Sequence, residues 1–201
     1  MPVPTSVPAT ADAAIADTRR WIERAVIGLN LCPFAKAVVA KGQVHYAVCD
    51  GADPSEVLAA LDQEAKDLVA HDAEERDTTL LLATACLHDF LDFNDFVGRA
   101  ERLLAKRGLA GELQLATFHP GYQFGGTTAD DITNATNRAP WPTLHLLREA
   151  SIDRAVEAFP EAEAIFGRNM DTLERLGSAG WDALDVGPGA GARLTAVKGH
   201  A

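Results

Sequence analysis

Between Phe118 and Glu149 the chain reads FHPGYQFGGTTADDITNATNRAPWPTLHLLRE, and this one passage holds His119, Tyr122, Asn134, Asn137, Arg138, His145, Arg148 and Glu149. Imidazoles exchange protons near neutral pH, guanidinium groups grip a carboxylate or phosphate with paired hydrogen bonds, and carboxamides donate and accept at once. The passage therefore marks a candidate binding site in which Arg138 and Arg148 hold an anion while His119 or His145 moves a proton. A second reading makes it an internal network, with Arg148 paired to Glu149, Asp130 or Asp131 and the loop simply fixed in place. For His119 the matching alternative is a structural bond to a neighbouring carbonyl.

Cys32 lies in NLCPFAK, followed by Pro33 at what can be the first position of a helical turn. A thiol at such a helix start is favoured as thiolate and can act as a nucleophile; the alternative is a buried, inert side chain. Cys86, His88 and His119 offer mixed sulfur and nitrogen donors, but no second CxxC, no HExxH and no acidic cluster accompanies them, so Cys86 reads as a small core residue and no metal is assigned. The glycine run Gly125-Gly126-Thr127 has no lysine and no P-loop spacing, and neither GxSxG nor GxGxxG occurs. Phosphoryl transfer, serine hydrolysis and dinucleotide redox chemistry lose ground, and no cofactor is named.

The elements that must position these groups follow from hydrophobic periodicity. Ile15, Ile22, Ala25, Val26 and Leu29 recur at helical spacing, predicting an amphipathic helix over residues 12–29. QVHYAVC (43–49), TTLLLATAC (78–86) and LQLATF (113–118) have strand character. Between them, Asp53, Pro54 and Glu56 start a helix to about residue 70, and Asp92 is the expected cap of another that ends at Gly108. This βαβαβ pattern predicts an α/β fold with a small, mainly parallel sheet of three or slightly more strands. Two C-terminal helices, about 143–158 and 161–176, complete it, separated at Pro160 and packing through Leu144, Leu147, Val156 and Phe159, then Ile165, Phe166, Leu173 and Leu176. The second strand is nearly all apolar, as expected for one covered on both faces. Ligands in such folds settle beyond the carboxyl ends of the strands, which directs attention to Asp50, His88 and His119. The long loop from Gly125 to Trp141 carries no obvious element and reads as functional.

A formal charge of −11 argues against nucleic acid or an anionic membrane as partner. Cys32, Cys49 and Cys86 are too few and too irregular for a disulfide framework, and no signal peptide or membrane span is evident, so a cytoplasmic location is expected. Residues 1–11 and 186–201, rich in Pro, Ala and Gly, are expected to be mobile tails around a single domain over 12–185.

Four segments, GLNLCPFAK, HDFLDFNDF, TFHPGYQFGGT and NATNRAPWPTLHLLRE, arrive in the order and at the spacing of a family of bacterial and plant proteins, domain of unknown function 1415, which the chain resembles over roughly residues 15–177. The resemblance places Cys32, Asn94, His119, Tyr122, Asn137, Arg138, His145, Arg148 and Glu149 in family motifs, leaves Cys49, Cys86 and His88 outside them, and implies no established reaction. Gly126 and Trp141 stand where the family more usually has alanine and tyrosine. Together these readings predict an enzyme acting on a small anionic molecule by acid–base or thiol chemistry, with Cys32, His119 and His145 catalytic and Asn94, Tyr122, Asn134, Asn137, Arg138, Arg148 and Glu149 binding. A metal- or cofactor-binding protein and a non-catalytic interaction module are the alternatives; the sequence is silent on oligomeric state.

Overall fold

The computed structural model describes residues 10–158 and 164–189. Thr10 caps helix α1 (Ala11–Trp21) by accepting from the Ala13 amide, and the chain continues through a π-helical turn, Ile22–Ile27, into the short helix α2 (Ala35–Ala40). The expected single helix over 12–29 is thus two differently wound pieces. Strand β1 (Val44–Cys49) leads to α3 (Pro54–Ala70), whose start carries the expected capping box between Asp53 and Glu56. Strand β2 (Thr78–Ala83) leads to α4 (Phe90–Lys106). Its cap is Asp89 rather than Asp92: the Asp89 carboxylate accepts from the Leu91 and Asp92 amides, so Asp92 is left inside the first turn. Gly108 adopts φ 75° just beyond α4, the left-handed stop its position predicts.

Strand β3 (Leu113–Phe118) is followed by a loop holding a 3-10 helix (Ile132–Asn137), then strand β4 (Thr143–Arg148), helix α5 (Glu149–Ala158) and helix α6 (Ile165–Ala183). β4 corrects the largest expectation. The segment expected to open a helix at 143 is extended, and it lies between β2 and β3 in a four-stranded sheet of order β1-β2-β4-β3. Only β1 and β2 pair in parallel; β4 is antiparallel to both of its neighbours. A three-stranded parallel core is therefore not formed, although β1, β2 and β3 still run in one direction, with the antiparallel strand slotted between the last two. Phe159 and Pro160 fall outside the described residues.

Side-chain alternation sorts the sheet into two cores. Leu81, Ala83, Leu113, Leu144 and Leu146 face α3 and α4, which contribute Val57, Leu61, Ala65, Leu68, Phe93, Phe96, Ala100 and Leu104. Leu80 and Leu82 face α1 and the π turn, meeting Ala14, Trp21, Ile22 and Ala25. Val186 is buried in this second core, and the Gly189 amide donates to the buried Asp17 carboxylate, so the chain stays docked on α1 through residue 189. Residues 1–9 and 190–201, the greater part of the expected tails, lie outside the described residues. No helix among the described residues is long and apolar enough to cross a membrane.

Candidate functional site

Because β1, β2 and β3 run the same way, their carboxyl ends share one edge of the sheet, and the first turns of α3 and α4 meet there. Between them opens a hollow of about 290 Å3 lined by Pro54, Leu87, Asp92, Asp95, Phe96 and Arg99. Asp92, Asp95, Phe96 and Arg99 recur at helical spacing along one strip of α4, beside the buried row of Phe93, Phe96 and Ala100. The two carboxylates make no side-chain hydrogen bond or ion pair among the described residues, and the Arg99 guanidinium rests 5.7 Å from the centre of the Phe96 ring. All three charged residues are exposed on α4, and the Asp53 carboxylate bears electrostatically on Arg99.

His119 adjoins this hollow but does not face it. The ring is 1% exposed, packed against Phe90 and Phe93 at 5.5 and 5.0 Å. The Gly121 amide donates to Nδ1 at 3.0 Å, which puts the ring proton on Nε2, and Nε2 donates to the Leu87 carbonyl at 3.0 Å. Burial pushes its pKa below the ordinary 6.5, with the Leu87 bond and Asp89 pulling the other way. With both nitrogens engaged, His119 has none left for a substrate.

The other expected site residues of the β3–β4 loop do come together, as a closed network. Asn134 is fully buried; its Oδ1 accepts from the Phe124 amide and the Thr127 hydroxyl, both at 2.9 Å, and its Nδ2 donates to the Thr128 carbonyl at 2.8 Å. Arg138 donates to the Tyr122 and Ala129 carbonyls at 3.1 and 2.7 Å, while the Asn137 carbonyl accepts from the His119 amide. Tyr122 packs on Phe90 and Phe124, and Phe124 on the exposed ring of Phe166 from α6. Here the internal-network alternative describes the geometry, with backbone carbonyls rather than carboxylates as the partners of arginine.

Arg148 lies at the opposite edge. Register pairs Thr143 with Phe118 and Arg148 with Leu113, so about 17 Å of strand separates it from the carboxyl edge. Its guanidinium donates to the carbonyls of Leu68, His71 and Arg76 at 2.5, 2.7 and 3.1 Å, closing the carboxyl end of α3 and the turn after it. Arg138 and Arg148 consequently form no joint anion grip; the expectation depended on a helix where the chain is extended. Glu149 begins α5 there, its amide donating to the Glu112 carbonyl.

His145 points to the α1 side of the sheet. The Thr78 hydroxyl donates to the Leu146 carbonyl and so receives the His145 Nε2 proton, and burial holds the imidazole near pKa 4. Its ring lies 6.1 Å from Phe118, which in turn meets Trp21 at 5.1 Å. Cys32 is a partly exposed free thiol in the turn after the π helix, a turn that includes Asn30 at φ 54° and is tied to α6 by the Asn169 carboxamide bonding the Leu31 carbonyl. No bond joins it to either histidine. Asn94 is exposed on α4, and Asp50 and His88 are exposed at the carboxyl edge. Among the described residues no three His, Cys, Asp or Glu side chains gather to hold a metal ion, so Cys86, His88 and His119 form no ligand set.

The hollow was missed from sequence because Asp95 and Arg99, exposed on α4, belong to no catalytic or ligand-binding motif that sets them apart. The available signal was positional: charged residues beside the buried row, in the first half of a helix that follows a strand's carboxyl end. A second hollow of about 180 Å3 near Lys41, Gln43, Glu74, Asp77, Ser151 and Arg154 has its polar groups bonded to one another: Lys41 pairs with Glu74 at 3.8 Å, Ser151 donates to Asp77 at 2.5 Å and Arg154 donates to Ser151 at 3.0 Å.

Residues 13–183 match the model of a family described as a protein of unknown function, DUF1415. No curated protein and no solved structure matches the chain.

Proposed function

We propose that this chain, which belongs to the DUF1415 family, binds a small zwitterionic molecule in the hollow between the first turns of α3 and α4. The observation that carries the reading is the lining: one guanidinium, with the Asp53 carboxylate bearing on it electrostatically, and two carboxylates that make no side-chain hydrogen bond or ion pair among the described residues, beside Leu87 and Phe96 at the edge of an α/β sheet where ligands settle. Arg99 takes the anionic end of the ligand, the role expected of Arg138 and Arg148, and Asp92 and Asp95 take a cationic end such as an ammonium group. Any proton transfer in this hollow falls to Asp92 or Asp95, because the His119 nitrogens are occupied.

Calorimetric titration with an amino acid panel, with succinate and with simple amines tests it. Zwitterions are expected to bind at least about tenfold tighter than either singly charged class, the worth of one charge-assisted contact, and Asp95→Asn and Arg99→Gln to abolish the preference. No binding by any member of the panel, or binding unchanged in both variants, refutes the reading.

A second reading, thiol chemistry at Cys32, is favoured by the pairing of a partly exposed free thiol with a π-helical turn and a left-handed Asn30. Iodoacetamide is expected to label Cys32 much faster than Cys86, which burial makes a weaker acid. Equal, slow labelling of Cys32, Cys49 and Cys86 defeats this reading.

A further inference from the structure

Leu87 is one of the few non-glycine residues with positive φ, at 60°, and its side chain is buried and lines the hollow. A left-handed leucine costs about 1–2 kcal/mol and persists only where its surroundings hold it. What holds it is visible: its carbonyl receives the His119 Nε2 proton, while the same ring accepts the Gly121 amide at Nδ1. A single imidazole therefore bridges the β2–α4 connection, which floors the hollow, to the β3–β4 loop.

That bridge works in one protonation state. Neutral His119 presents one donor and one acceptor, matching a carbonyl on one side and an amide on the other. A proton added at Nδ1 sets N–H against N–H across the 3.0 Å contact with Gly121. Turning the ring brings no relief, because the imidazolium carries N–H on both nitrogens, and Phe90 and Phe93 pack against it at 5.5 and 5.0 Å.

We propose that His119 is a positioning residue and a proton-sensitive latch for the hollow: neutral, it fixes Leu87 beneath the ligand; protonated, it parts the two loops and loosens the floor. This adds regulation to the zwitterion site and rests on that reading for its consequence, though not for its chemistry. The charged groups bearing on the ring are Asp89, which favours protonation, and His88, which opposes it, both from the β2–α4 connection. The other partners of the ring are uncharged: α4 presents Phe90 and Phe93 and the β3–β4 loop presents the Gly121 amide, while the Asn137 carbonyl of the 3-10 helix accepts from the His119 backbone amide. Since burial lowers the folded pKa below 6.5, the latch holds at neutral pH and releases as pH falls below that value.

Two measurements on the intact protein test it without any ligand. Long-range nitrogen–proton spectra of the histidine rings should show His119 neutral with its proton on Nε2 at pH 7.5. Hydrogen exchange, corrected for intrinsic rate, should accelerate at least about tenfold, a 1.4 kcal/mol loss of protection, in residues 84–92 and 119–127 once that ring titrates. His119→Asn keeps an acceptor for the Gly121 amide but cannot titrate. It should show fast exchange around Leu87 at every pH and no acid-induced change. A His119 proton on Nδ1 at pH 7.5, or unchanged exchange in the wild type across the ring's titration, overturns the proposal. Either result leaves zwitterion binding to stand or fall by its own titrations.

Discussion

Replacing Asn134 tests whether the β3–β4 loop is held by one buried carboxamide. The side chain accepts from the Phe124 amide and the Thr127 hydroxyl and donates to the Thr128 carbonyl, all within 2.9 Å and without solvent access. Asn134→Ala deletes these three bonds and strands their partners. At a net ~1 kcal/mol per bond, plus ~1 kcal/mol for stranded groups, the loss is about 3–4 kcal/mol. For a chain of this size that lowers Tm by roughly 6–15 °C. Asn134→Asp sharpens the argument. Its carboxylate can still accept from Phe124 and Thr127, but it turns an oxygen instead of an N–H toward the Thr128 carbonyl. Burial raises the folded pKa of the introduced acid above the unfolded value of about 4. Its stability is therefore closest to wild type below pH ~4, where the protonated acid donates to Thr128, and declines as pH rises through the folded pKa. Urea unfolding followed by circular dichroism at several pH values measures both variants. A loss under about 1 kcal/mol for the alanine variant, or an aspartate variant as stable as wild type at pH 7, refutes the reasoning.

Arg148→Ala is expected to cost about 3 kcal/mol, since it removes charge-assisted bonds to the Leu68, His71 and Arg76 carbonyls, while leaving ligand binding at the carboxyl edge unchanged; Arg148→Lys should recover about half. Parallel urea melts and titrations separate the two effects, and lost binding with intact stability contradicts the structural role. His145, held near pKa 4 when folded against 6.5 unfolded, contributes stability that is fully present above pH 6.5 and is lost as pH falls toward 4, by at most about 3 kcal/mol. Urea melts from pH 7 to pH 4 should show this slope flattened in His145→Gln, and an identical slope in both proteins argues against it.

The first three strands and the helices between them were legible because each carried its own local signal. The Asp53 to Glu56 capping box forms as the sequence predicts, and the apolar run TTLLLA is buried on both faces. β4 was misread for a physical reason. TLHLLR places Leu144 and Leu147 three apart after Pro142, a helix-like start, while the alternation that buries Leu144 and Leu146 spans only a few residues. Short apolar segments are decided by the tertiary slot they fill, and the slot between β2 and β3 is invisible in local periodicity. The same error carried into the site, since a helical reading of 143–149 brings Arg148 toward Arg138, whereas the strand carries it to the far edge. His119, Asn134 and Arg138 stand out in the sequence as polar groups in one passage, and the hydrogen bonds they make tie the chain to itself. Residue type announces that a polar group must be satisfied; it does not say by what.

Slotting β4 between β2 and β3 also shapes how the protein must be made. As synthesis proceeds from the amino terminus, β1 and β2 can pair as soon as α3 has formed, but the other side of β2 and the inner side of β3 stay open until Thr143–Arg148 leaves the ribosome. A nascent or truncated chain ending before residue 143 displays the apolar TTLLLA strand with unpaired amides and carbonyls, a template for association with other chains. The last strand to be made completes the sheet, so a truncation that removes Thr143–Arg148 is expected to leave an aggregation-prone fragment instead of a smaller folded protein.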